Sequence, residues 1–378
     1  MDFALSEEQE ALRETARSFL AEHSSSERVR RAMEGELGFD PETWKRIAAE
    51  LGWPALIVPE AHGGLGLGWV ELAVLLEAMG ESLLCAPFFS SVCLAANAIL
   101  AAGSDEQQRE LLPGIAEGRT LATLAWTGPG GAPGLEGIEA TYRMHAGEAL
   151  VSGDARYVID GHCADLLVVA ARREDGAAEA ISLFAIFANA AGVERRALAT
   201  LDPTRRLAEV RLRDVRVPRS GILGEEGAAA APLARTLDLA AVALAAEQTG
   251  GAQRCLDLAV EYAKQRVQFG RPIGSFQAIQ HKCADMLLRV ESARSASQWA
   301  ACVAAEGGDE LARAASLAKA YCSEAYFFCA AECLQIHGGV GFTWEYDVHL
   351  HLKRAQGSQV LLGDPAWHRE RVARLIGL

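Results

Sequence analysis

Apolar positions recur at helical spacing through the first third of the chain, give way to short β-rich runs, and then return to long helical periods. Ser6 with Gln9 and Ser104 with Gln107 have the spacing of a capping box, and Asp40-Pro41 joins an N-cap to a proline at the first helical position. Three helix starts are thereby marked. Between them, the segment from Val58 to Gly68 is too glycine-rich for a helix interior and reads as an ordered turn or loop. From about Leu121 the runs Glu148 to Ser152, Asp165 to Ala170, Ile181 to Phe187 and Ala208 to Val217 alternate with Gly, Asp and Arg turns, which predicts strands. Beyond Gly224 helices are predicted over roughly 228–265, 276–305 and 308–336, and again after Asp364. The expected architecture is mainly α with a central β domain. It comprises an N-terminal helical domain over 1–120, a middle β domain over 121–226 and a C-terminal helical bundle over 227–378.

Composition narrows the partners. Of 378 residues half are hydrophobic and 23% charged, and 36 Lys and Arg against 50 Asp and Glu leave a net charge of -14. That acidic balance opposes binding to nucleic acid or to an anionic membrane surface, so a phosphorylated ligand must be held by local cations. The opening Met1-Asp2-Phe3-Ala4-Leu5-Ser6-Glu7-Glu8 lacks the basic then apolar order of a leader, which predicts a cytoplasmic protein. No membrane insertion is expected, because no apolar run approaches the roughly 20 residues of a span. The stretch from Val92 to Gly103 is too short and contains Asn97. Nine cysteines lie scattered in apolar sequence without a Cys-x-x-Cys pair. Cys329 and Cys333 read as buried thiols, with no metal site.

Two stretches carry candidate chemistry. In Tyr262 to Gln280 a helix is predicted to end near Gly270, Pro272 prevents its continuation, and Ser275 is placed to cap the next helix. Arg266, Gln268 and Phe269 then sit at a helix end, where a guanidinium beside free amides suits a pyrophosphate. The same spacing also describes a solvated helix end. In Cys333 to Thr343, three glycines within four residues follow an apolar helix. They either let backbone approach a ligand closely or form a glycine C-cap and turn.

Together and in this order, the two stretches resemble the acyl-CoA dehydrogenase family. The resemblance runs over essentially the full length, through Gly52-Trp53 with Val58-Pro59-Glu60 and Gly63 to Gly66, Leu111-Leu112-Pro113 with Gly118, Leu150-Val151-Ser152-Gly153, Arg266 to Gln280, and Gln335 to Gly341. It implies an N-terminal helical domain, a middle β-barrel-like domain and a C-terminal four-helix bundle, with FAD between domains and its ADP half crossing a subunit interface. By motif, Arg266, Gln268 and Phe269 would hold the pyrophosphate and adenine side, while Gln335, Gly338 and Gly339 would meet the same cofactor from a neighbouring subunit. The flavin end departs from the usual Thr-Glu-Pro and Gly-x-Gly-Ser-Asp pattern, reading Thr127-Gly128-Pro129-Gly130-Gly131-Ala132-Pro133-Gly134 instead. Thr127 remains for the isoalloxazine edge. Tyr157-Val158-Ile159 stands where Trp-Ile-Thr or Trp-Ile-Ser usually packs on the flavin, so an aromatic wall is kept and one hydroxyl lost.

Oxidising an acyl-CoA at its α and β carbons needs a carboxylate to take the α proton while the β hydride passes to flavin N5. The resemblance offers two usual positions for that carboxylate, and both are empty. At the first, Leu361-Leu362-Gly363-Asp364 contains no Glu, and Asp364 before Pro365 looks like an N-cap. At the second stands Ala240. Two helical turns further on is Glu247, the only charged residue between Asp238 and Arg254. A lone carboxylate there is costly unless it is paired with a basic residue of another helix or has a functional role.

Family members acting on bulky or steroid-derived acyl-CoA thioesters look similar around Ala245-Ala246-Glu247-Gln248 and place their base there. The resemblance thus implies Glu247 as the base, with a backbone N–H near Gly363 as donor to the thioester oxygen. Ala241 replaces an arginine that some members use for CoA, so the resemblance assigns no CoA contact, and Asp238 is the residue to test first for adenine recognition. The small side chains from Ala240 to Ala246 and from Gly250 to Ala252 either leave room for a broad acyl group or mark close helix packing. The implied protein is an FAD-dependent acyl-CoA dehydrogenase, a homo- or heterotetramer with electron-transferring flavoprotein or a similar acceptor. The missing acids favour an alternative, a cofactor-sharing structural subunit of a heteromeric dehydrogenase. A flavin oxidase or hydroxylase on the same fold is a third.

Overall fold

The computed structural model describes residues 5–177 and 180–378. Met1 to Ala4, the first half of the segment read for a leader, lie outside the described residues. Helices come first: α1 (Glu7–His23), α2 (Ser26–Glu34), α3 (Pro41–Ala49), α4 (Trp69–Glu81), α5 (Asn97–Ala102) and α6 (Asp105–Ala116). Ser6 and Ser104 close reciprocal capping boxes with Gln9 and Gln107, and Asp40 accepts from the N–H groups of Glu42 and Thr43 to start α3. Ahead of α5 the backbone widens into a π-helix over Phe89–Ala96, buried throughout.

Strands β1 (Ala122–Ala125), β2 (Thr141–His145), β3 (Glu148–Ile159), β4 (Leu166–Arg173), β5 (Ile181–Phe187), β6 (Val193–Ala197), β7 (Leu207–Pro218) and β8 (Ile222–Leu223) form one sheet. Its order is β6-β7-β3-β2-β4-β5-β8, with β1 pairing parallel to β4. Val193 from one end of this path and Ile222 from the other pack on the same cluster of Val151, Val169, Phe184 and Val210. The sheet therefore curls around its own core, which is the barrel-like middle domain of the sequence reading.

Helices then return as α7 (Ala230–Gln265), α8 (Gln277–Glu306), α9 (Leu311–His337), α10 (Val348–Val360) and α11 (Pro365–Leu375). Central among them, α9 packs against α8, α10 and α11. Two local expectations fail here. The helix predicted over roughly 228–265 does stop at Gln265, so the other expectation for it, of an end near Gly270, fails, and a hairpin of β9 (Val267–Gln268) and β10 (Arg271–Pro272) follows. Phe269 and Gly270 form its two-residue turn with φ of 54° and 76°, the left-handed pair that such hairpins require. Ser275 does not cap α8. Its hydroxyl donates to the Pro272 carbonyl, and Phe276 occupies the N-cap position without a side-chain hydrogen bond.

By compactness the chain resolves into two units. One comprises the chain up to Arg31, Trp69–Leu84 and Ala241–Leu378, and the other comprises Ala32–Gly68 and Cys85–Ala240. Among the described residues no helix is long and apolar enough to cross a membrane.

Candidate active site

In the unit that holds the helical bundle, Glu247 projects from α7 and is 6% exposed. Its Oε1 accepts from Nη1 of Arg354 on α10 at 2.9 Å, and Arg354 is buried as well. The ion pair answers the cost of burying a lone carboxylate. Removing one partner of such a pair typically costs about 3–5 kcal/mol. The backbone beside it is equally constrained, since a Cβ on Gly80 of α4 would lie 2.0 Å from the Glu247 carbonyl oxygen. On the same helix, a Cβ at Gly250 would lie 1.8 Å from the Glu77 carbonyl, and one at Gly251 would meet the Tyr326 ring at 2.3 Å. At these glycines the small side chains serve close helix packing. Asp238 is buried further upstream on α7.

Gln248 extends the constraint across the bundle, donating from Nε2 to Ser323 Oγ on α9 at 3.0 Å and to Ser358 Oγ on α10 at 3.2 Å. Past α10 comes the turn with Gly363, whose φ of +105° and whose contact with Trp367 leave no place for a side chain. Its carbonyl accepts from Lys319 at 3.0 Å, and among the described residues nothing accepts from its N–H. Asp364 caps α11, its Oδ1 accepting from the Trp367 N–H at 2.8 Å, so the carboxylate nearest the empty first position already has a structural use.

The two glycine-containing motifs meet at one end of this bundle. Tyr262, one turn before Arg266, stacks on His337 with ring centroids 4.2 Å apart, and His337 immediately precedes Gly338. Burial pushes the His337 imidazole below its usual range, favouring the neutral ring that stacks there. Gly338 is the C-cap of α9, and its N–H donates to the carbonyls of Leu334 and Gln335. Arg266 and Gln268 are exposed on the hairpin, and Phe269 is 92% exposed.

In the other unit, the N–H of Arg156 donates to the Thr127 carbonyl at 2.7 Å, and Tyr157 beside it borders Gly131 of the glycine-rich loop. Tyr157 is half-exposed with φ of 60°, at a break in the register of β3 against β7. Arg196 and Arg156 hydrogen-bond the buried Glu209, with Arg211 in the same cluster, and hold its carboxyl down to about 2. The loop is thus tied to the sheet through Arg156. Each unit assembles its own share of the expected residues: Glu247, Gly363, Arg266, Gln268, Phe269, Gln335, Gly338 and Gly339 in one, and Thr127, Tyr157 and Asp238 in the other.

The acyl-CoA dehydrogenase N-terminal domain family matches residues 6–119, and the acyl-CoA dehydrogenase C-terminal domain family matches residues 230–377. The chain belongs to the acyl-CoA dehydrogenase family. It is 38% identical over 372 residues to acyl-CoA dehydrogenase IpdE2 of Mycolicibacterium smegmatis, covering 98% of both proteins. Among solved structures, the steroid ACAD Tcur3481-Tcur3483 matches with a TM-score of 0.87 and 32% identity over 98% of each chain. The FAD complex of PigA matches with a TM-score of 0.93 and 26% identity over 100% of both.

Acyl-CoA dehydrogenases are FAD-dependent enzymes, and the residues here suit that cofactor. Among the described residues the Arg266 guanidinium makes no ion pair or hydrogen bond, leaving it for a pyrophosphate. A Cβ at Gly338 or Gly339 would meet nothing within 4 Å, so their backbone is open to a ligand. Next to Thr127, the Trp126 indole N–H is buried without an acceptor, as a donor awaiting a flavin heteroatom would be. Sequence reasoning missed Arg354 and Lys319 in this acyl-CoA dehydrogenase. Lys319 was within reach, because it is the only charge between Arg313 and Glu324, the same signal that singled out Glu247.

Proposed function

We propose that this chain catalyses α,β-dehydrogenation of a bulky, steroid-derived acyl-CoA thioester with Glu247 as the base. The observation that carries the proposal is Glu247 itself, a buried carboxylate held at 2.9 Å by Arg354 in a chain whose residues at both of the family's usual base positions are not acids. The likeness to a steroid ACAD supports the substrate class.

Arg354 holds Glu247 in place at 2.9 Å, and the carboxylate takes the α proton of the thioester. The Gly363 N–H donates to the thioester oxygen, where negative charge builds as that proton leaves. FAD, when bound, supplies the acceptor for the β hydride. Arg266 would hold its pyrophosphate, with Gln268 and Phe269 towards the adenine. Thr127 and Tyr157 would meet the isoalloxazine. Because the Tyr262–His337 stack joins the hairpin to the Gly338 turn, Gln335, Gly338 and Gly339 would serve a cofactor from the same subunit as Arg266. The electron acceptor of the enzyme would be electron-transferring flavoprotein or a similar protein.

A second reading, in which the chain shares a cofactor site within a heteromeric enzyme, draws support from the two chain names of Tcur3481-Tcur3483. Anaerobic flavin bleaching tests both readings, using acyl-CoA thioesters from short straight chains to ring-bearing ones. Ring-bearing thioesters are expected to bleach the flavin, with Glu247→Gln slowing bleaching by about 10²–10⁴-fold. Unchanged bleaching in the variant would remove Glu247 from the mechanism, and no bleaching with any thioester would remove dehydrogenation. A colourless chain that gains flavin only with a co-expressed partner would establish the second reading.

A further inference from the structure

Lys319 lies at the centre of α9 with 0% of its surface exposed, and among the described residues it has no ion pair. An ammonium group has three donors, and here each finds a neutral acceptor at 3.0 Å: Ser323 Oγ, the Gln359 carbonyl and the Gly363 carbonyl. Gln359 is in the last turn of α10 and Gly363 follows it, so one cation clamps both ends of the turn between them. The turn needs such a clamp, because Leu362 and Gly363 have consecutive positive φ values of 62° and 105°.

His368 acts on the same turn from α11. Its Nε2 lies 3.1 Å from the Leu362 carbonyl, and since a carbonyl only accepts, Nε2 carries the proton. The Leu362 carbonyl and the Gly363 N–H belong to one trans peptide, in which they point in opposite directions. Holding the carbonyl towards His368 therefore turns the N–H away from it.

We propose that Lys319, with His368, is a positioning residue that locks the turn after α10 so that the Gly363 N–H meets the thioester oxygen. The inference rests on the reading of Gly363 as that donor. Through Ser323 the same lysine reaches Gln248, the neighbour of Glu247, so donor and base are braced by one buried network. Burial pulls the Lys319 ammonium down to about 7, against the opposing pull of Cys322 on α9 and Asp364 before α11. Burial, with Lys319 and Arg371 adding to it, pushes His368 down to about 3, so its ring is neutral. Gln359 of α10, which the lysine contacts, and Gln248 of α7, which it reaches through Ser323, carry no charge.

The test is Lys319→Met, which keeps side-chain length without burying a charge. With the thioester that best bleaches wild type, kcat should fall about 10–100-fold while KM changes by less than about threefold. The infrared band of a ¹³C=O-labelled sample of that thioester should shift back towards its position in water. Independently of substrate, amide exchange in the 359–365 segment should accelerate. A folded variant with unchanged kcat, carbonyl band and exchange would overturn the proposal. If wild type bleaches with no thioester, the reading of the site falls, whereas accelerated exchange in the variant would still establish the clamp. Should Lys319→Met not fold, His368→Met carries the same expectations, and unchanged values there would overturn the proposal.

Discussion

Glu247 on α7 and Lys319 on α9 are each the only charge in a run of small and apolar side chains, and both are buried. Their compensation differs. Glu247 is met by an opposite ion, Arg354, whereas Lys319 is met by one hydroxyl and two backbone carbonyls. A buried ion pair keeps both members charged and couples their stability strongly. Neutral acceptors leave the desolvation of the lysine largely unopposed, and its proton is held more weakly. The first arrangement suits a group that must stay ionised, and the second a group whose task is to orient backbone.

The comparison can be broken first at the ion pair. Arg354→Met should destabilise the protein by about 3–5 kcal/mol in urea unfolding, because it removes the guanidinium that Glu247 meets in the buried ion pair. The double variant Glu247→Leu with Arg354→Met should recover most of that loss and still bleach no flavin. Recovery of bleaching along with stability would show that the pair is structural only.

A smaller effect separates the two charges by pH. Lys319 titrates near about 7 when folded against an ordinary 10.5. Between those values the unfolded chain binds a proton that the folded chain does not. Folding stability should therefore rise with pH through that window, by up to about 1.4 kcal/mol per unit. Activity should move in the opposite direction, since a neutral amine has two N–H groups for three acceptors. Urea titrations and kcat profiles across this window, each compared with Lys319→Met, check both signs. A wild-type kcat that rises with stability would contradict the clamp.

The smallest effect on stability concerns Arg266, an exposed cation in contrast to the buried lysine. Arg266→Ala should change unfolding by less than about 0.5 kcal/mol while flavin retention through gel filtration drops clearly. Retained flavin would take Arg266 out of the cofactor site.

Much of the frame was legible from local signals. The capping boxes at Ser6 and Ser104, the Asp40-Pro41 start and the Asp364 cap all form as the spacing predicts, because each needs only residues within one helical turn. Ser275 shows the limit of such signals, since a hairpin anchored by Ile273 N–H to the Arg266 carbonyl turned its hydroxyl back to Pro272. The π-helix before α5 was equally hidden, because an apolar run has the same composition at either helical pitch. In the site, Gly250 and Gly251 were ambiguous until α4 and Tyr326 were seen pressed against them.

By itself the sequence determined the order of helices and strands, the glycine and arginine motifs that mark the family, and the isolation of Glu247 and Lys319 as buried charges. Only the tertiary structure decided what those charges do. Arg354 lies 107 residues from Glu247, and the carbonyls that hold Lys319 lie 40 and 44 residues from it. Periodicity and capping act over a few residues, while the partner of a buried charge is chosen by which helices pack together.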